Sequence, residues 1–103
     1  MIDIEPSRHL DDMEIDNVVM GEKARAAFES FYLNEPSFID IGSQRFGFED
    51  VNRRQLEESF ALGLIHGLRH IPLADIISSN HPYEQRFEEH GHTWGSQYVA
   101  GLD

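Results

Sequence analysis

Residues 51–70 constrain the fold more than any other stretch, because they carry start and stop signals for a helix and an apolar run that other elements must cover. Asn52 is placed to cap the first turn. Gln55, three residues on, can close a capping box, and Val51 can pack on Leu56 as a hydrophobic staple. At about 100° per residue, Leu56, Phe60, Gly63, Leu64, Gly67, Leu68 and Ile71 share one broad face, while Arg54, Glu57, Glu58 and Arg69 lie off its centre. From residue 60 to 68 the only strongly polar side chain is His66, so this half reads as wrapped by neighbours. Pro72 disfavours helical geometry at Ile71, and Arg69 and His70 bring positive charge to the last turn.

Gly63 and Gly67 each cost about 1 kcal/mol relative to alanine inside a helix, so their shared face demands a close neighbour. The small alanines of an expected first helix, Ala24 and Ala27, make that helix the candidate neighbour. The alternative is a homodimer through the Gly63/Gly67 face. The apolar run is too short to span a bilayer, so no membrane role is expected.

The chain has 103 residues and no cysteine, which fits a single globular domain over 1–103 without disulfides or thiolate chemistry. No basic, apolar leader opens it, and the expected location is cytoplasmic. Its formal charge is −11, divided as −5 over residues 1–17, −1 over 18–36, 0 over 37–48, −1 over 49–71 and −4 over 72–103. Acid therefore gathers at both ends, which would form one negative face if the ends met. Such a face repels nucleic acid and steers basic partners inward.

In chain order, residues 1–6 alternate apolar and acidic side chains as a short edge strand would, and Pro6 stops them. Residues 1–17 read as a loosely ordered acidic arm, since Asp11, Asp12, Glu14 and Asp16 crowd together without a base. The Asp11/Asp12 pair lacks a calcium-loop pattern. A helix is expected over 18–33 with Met20, Ala24, Ala27, Phe28 and Phe31 buried, ended by Asn34-Glu35-Pro36. Residues 37–41 and 45–48 read as strands of a hairpin around the three-residue loop Gly42-Ser43-Gln44. After the central helix, a short helix is expected over 72–78 and another over 82–90, begun by Pro82 and stopped at Gly91. Residues 92–100 would add a last strand or wrap the core through Trp94 and Tyr98. The expected architecture is a small α+β domain: a β-hairpin, extended or not by a terminal strand, packed on a long central helix with a second long helix and short C-terminal helices.

No segment carries a catalytic or nucleotide-binding motif. His66 and His70 have metal-ligand spacing, and His90 and His92 are the candidates to complete a set, but the glutamate of the HExxH helix is missing. A helix-turn-helix reading fails on charge, because residues 72–103 hold Arg86 alone against five acids. The expected role is non-catalytic and needs no cofactor. It is an inhibitor or immunity-type protein whose acidic surface occupies a basic, nucleic-acid-binding site on a partner protein, without itself contacting nucleic acid. Phage-encoded inhibitors of host defence complexes and immunity proteins against nuclease toxins are similar in composition, and no motif is shared. The partner-binding candidates are Asp11, Asp12, Glu14, Asp16, Glu84, Glu88 and Glu89, as acceptors for Arg or Lys. The alternative is a small His-dependent metal-binding protein or enzyme using the His66/His70 pair.

Overall fold

The computed structural model describes residues 10–72 and 81–101. Within them lie helix α1 (Asp12–Val19), helix α2 (Glu22–Leu33), strands β1 (Phe38–Ile41) and β2 (Gln44–Gly47), a 3-10 turn at Phe48–Asp50, helix α3 (Arg53–Leu68) and helix α4 (Pro82–Ala100). The expected edge strand over 1–6 and the body of the short helix over 72–78 fall outside the described residues.

Helix α3 starts and stops where its sequence says. The Gln55 N–H donates to the Asn52 side chain at 2.9 Å and the Asn52 N–H to the Gln55 side chain at 3.0 Å, so both halves of the capping box are made. Val51 and Leu56 are both buried. Its buried face is Leu56, Ser59, Phe60, Gly63, Leu64, Gly67 and Leu68. The three leucines are fully enclosed, each contributing on the order of 2 kcal/mol of apolar burial. At the C-terminus the His70 N–H donates to Gly67 O and the Ile71 N–H to His66 O, a Schellman motif. His70 occupies the position glycine usually takes, with φ +62°.

The neighbour of the glycine face is α4, which corrects the expectation that the alanine helix would fill it. A Cβ on Gly95 would fall 2.7 Å from Leu64 O; one on Gly63, Gly67 or Gly91 would fall closer still to the carbonyl oxygens of Glu88, His92 and Phe60. The backbones therefore touch along two small-x-x-x-small pairs, and the chain itself covers the face proposed as a homodimer seam. Gly63 meets Glu88 and Gly67 meets His92, while Phe60 meets Gly91 and Leu64 meets Gly95. Both series advance by four in the same sense on each helix, so α3 and α4 run parallel.

The same contact explains why residues 92–100 continue a helix rather than form a strand, with Trp94 and Tyr98 packed partly buried against the core as expected. Gly91 was expected to stop a helix, yet α4 runs through Gly91 and Gly95 to Ala100, because the helix penalty of each glycine is offset by the approach it permits. His81 caps it by accepting the Tyr83 N–H at Nδ1, 3.2 Å away. The sheet has two strands among the described residues.

The expected single helix over 18–33 is two helices bent at Met20-Gly21. Ile15 and the Ala24/Phe28 pair are all buried, and the corner brings both sets onto the core. Met20, expected inside, is 86% exposed at that corner. Phe28 lies at the centre of the aromatic core, with ring centroids 5.7, 5.6 and 5.5 Å from Tyr32, Phe60 and Phe87.

The hairpin pairs Phe38 with Gly47 through Ile41 with Gln44. Its loop is Gly42-Ser43 rather than three residues. Gly42 at φ +63° takes the first central position, the pattern of a type II′ turn. Phe48 pins the hairpin to the core against Tyr32 at 5.0 Å and Tyr83 at 5.1 Å.

Candidate protein-binding surface

The acidic residues of α1 are ordered rather than loose. Asp11 is the helix N-cap: its carboxylate accepts the Glu14 N–H at 2.8 Å, and Glu14 accepts the Asp11 N–H at 3.2 Å in return. Two expected binding residues thus have a structural task, and residues 11–17, expected in the arm, are the cap and body of a helix. Asp12, 91% exposed, lies 3.2 Å from Arg69 at the end of α3. Asp16 faces solvent, with no cation within 4.0 Å among the described residues. Met13, Asp16, Asn17 and Met20 follow the i, i+3, i+4, i+7 rule along the outer side of α1, with Met13 73% exposed.

On α4 the three glutamates separate. Glu88 is 1% exposed against the α3 backbone, so it cannot meet a partner and leaves the candidate set. Its burial follows from helix phase, since Phe87, Glu88 and Gly91 all lie on the side that meets α3. Glu84 is half-buried in the first turn, and Glu89 is exposed within the field of Arg86. The two acidic groups do not merge. Asn17 and Val18 of α1 lie beside Trp94 and Tyr98, five and nine residues past Glu89, or about 7 and 13 Å along the helix axis.

Sequence reading missed a buried polar cluster between the α2–β1 loop and α4. The Glu35 side chain, 3% exposed, accepts both Nε and an Nη of Arg86, at 2.6 and 3.0 Å. This pairing, the largest of several causes, raises the Arg86 pKa. His90 stacks flat on Phe31 at 4.2 Å and brings Nε2 to 3.4 Å from Glu35, without hydrogen-bond geometry. The Tyr83 hydroxyl donates to Pro36 O at 2.6 Å; burial, then the Glu35 charge, pushes its pKa up. The only sequence signal was the i, i+4 pair Arg86/His90, and nothing local pointed it at Glu35.

The candidate metal set is not assembled. His92 is bonded at 2.6 Å to Ile71 O, while His90, two residues away on the helix, points into the Phe31 and Glu35 cluster. The His66 pKa is lowered, chiefly by burial and then by Arg69 and His92. His70 ends the helix. Among the described residues no three His, Cys, Asp or Glu side chains converge as metal ligands.

Two grooves open between the elements. One, about 340 Å³, has an apolar floor of Phe28, Phe60 and Leu64 and a rim in which Arg53 binds both Glu29 and Glu57. The other, about 400 Å³, lies between the α1–α2 corner and the last turns of α4. No described helix is long and apolar enough to cross a membrane. No protein-family model, curated protein or solved structure matches the chain.

Proposed function

We propose that the protein is a non-catalytic acidic binding protein, of inhibitor or immunity type, that occupies a basic site on a partner protein. The observation that carries this reading is how the cations are used. Arg45, Arg53, Arg54, Arg69 and Arg86, five of the seven described basic residues, each lie within 4.0 Å of a carboxylate of the same chain. A polyanion would find only Lys23 and Arg25 without such a partner among the described residues, on a chain whose formal charge is −11. Nucleic acid is therefore opposed and basic protein surfaces are drawn in. Asp12, Asp16, Glu49 and Glu89 are among the carboxylates that face outward.

The test is affinity capture from the native host at low and high salt, with the wild-type chain and a variant carrying Asp12→Lys, Asp16→Lys, Glu49→Lys and Glu89→Lys as baits. The variant's formal charge is −11 + 8 = −3. A basic protein held by the wild type, released by salt and bound far more slowly by the variant supports the reading. Equal association rates for two baits of similar melting temperature would sink it.

A further inference from the structure

The groove at the α1–α2 corner has features that attract a cation and holds none of the fold's own arginines. Asn17, Gly21, Glu22 and Lys23 form one wall, and Trp94 and Tyr98 form the other. The two rings, one helical turn apart, stack on each other at 5.4 Å and 24°, and both are half-buried against the core. Arg45 covers Phe38, and Arg53 covers Phe28 and Tyr32; no described cation covers Trp94 or Tyr98. Glu22 is exposed, with no cation within 4.0 Å among the described residues.

We propose that this groove receives an arginine side chain of a basic protein partner, its guanidinium stacked against the Trp94/Tyr98 pair and countered by Glu22. This rests on the reading of the protein as an acidic binder and names where the partner's anchor goes. Lys23 opposes any cation here and cancels part of the Glu22 field, which leaves the aromatic wall as the discriminating element. A planar, weakly hydrated guanidinium stacks there with less desolvation than a compact ammonium, so arginine is selected over lysine. Val18, which lines the groove, offers apolar surface for the arginine stem.

Trp94 is the sole tryptophan, so its emission reports directly on the groove. The full chain is titrated with hexa-arginine and, separately, hexa-lysine. A saturable change in Trp94 emission is expected, with the arginine peptide bound at least about two- to five-fold more tightly. Glu22→Gln and Tyr98→Leu should each weaken it by a similar factor, and Lys23→Glu should strengthen it. Variants are compared at matched melting temperature, and Glu22→Gln, at an exposed position, keeps the test valid if Tyr98→Leu unfolds. Equal affinity for the two peptides, or Glu22→Gln and Tyr98→Leu both binding as the wild type does, overturns the groove. If the four-lysine variant still loses its basic partner in that case, the acidic-binder reading stands alone; if it does not, both fall.

Discussion

Where α3 crosses α4 the backbones touch, and Gly63, Gly67, Gly91 and Gly95 leave no space for a Cβ. Where α1 meets α2 and the end of α4, a groove of about 400 Å³ separates the elements. There Ile15 is buried, Val18 and Val19 pack on the core, and one exposed ion pair joins Asp12 to Arg69 at the end of α3. The first junction is specified by shape and tolerates nothing larger; the second leaves polar and aromatic side chains exposed. Surfaces that recognise partners need such side chains, and a glycine-packed seam cannot supply them. On the proposal above, the first junction serves stability and the second recognition.

The sharpest way to break that contrast is to add a methyl to the seam. Gly63→Ala and Gly91→Ala should each cost more than about 3 kcal/mol in urea denaturation, because backbone rather than a flexible side chain stands in the way. A loss below about 1 kcal/mol would mean the helices separate easily. Removing the cap at the other junction with Asp11→Ala should cost about 1 kcal/mol and act locally. Hydrogen exchange should accelerate in α1 and stay protected in α3 and α4; acceleration everywhere would merge the two junctions into one unit. His70→Gly should stabilise by up to about 1 kcal/mol through relief of its left-handed backbone, less whatever the imidazole contributes. Breaking the exposed pair with Arg69→Ala should cost under about 1 kcal/mol, and less at high salt.

The smallest expected effect is on pH dependence. Burial, then Arg69 and His92, hold the folded His66 pKa below its ordinary value of 6.5, so the folded protein prefers the neutral ring. Its stabilising contribution is complete above the unfolded value and is lost as pH falls below it and through the folded pKa. Urea midpoints should therefore fall more steeply on acidification in the wild type than in His66→Gln. Identical slopes would show that His66 takes no part.

Local signals were legible and tertiary ones were not. Asn52, Gln55 and Pro72 mark α3 through bonds within a few residues of themselves, so its limits are readable from the chain alone. Gly91 carries the same letter as a helix stop, and only the α3 backbone against it decides that the helix continues. Asp11 and Glu14 have the three-residue spacing of a capping box, a signal overlooked because their charge suggested solvent. Of the seven carboxylates expected at the binding surface, Asp12, Asp16 and Glu89 keep an outward place, and Glu84 is half-buried. Glu88 was lost because helix phase against α3 is fixed by packing rather than polarity. Gln44 begins β2 instead of closing the loop, since Gly42 alone supplies the positive φ the turn needs.

The parallel sense of α3 and α4 bears on how the chain reaches this state. Antiparallel neighbours can close from a short loop and zip; here the seam contacts of the four glycines join residues 25 to 31 positions apart, so no contact near the connection seeds the rest. Each helix also carries two glycines that weaken it on its own. Neither is then expected to persist before the other docks, and the seam should form in a single late, cooperative step that governs how fast the protein folds.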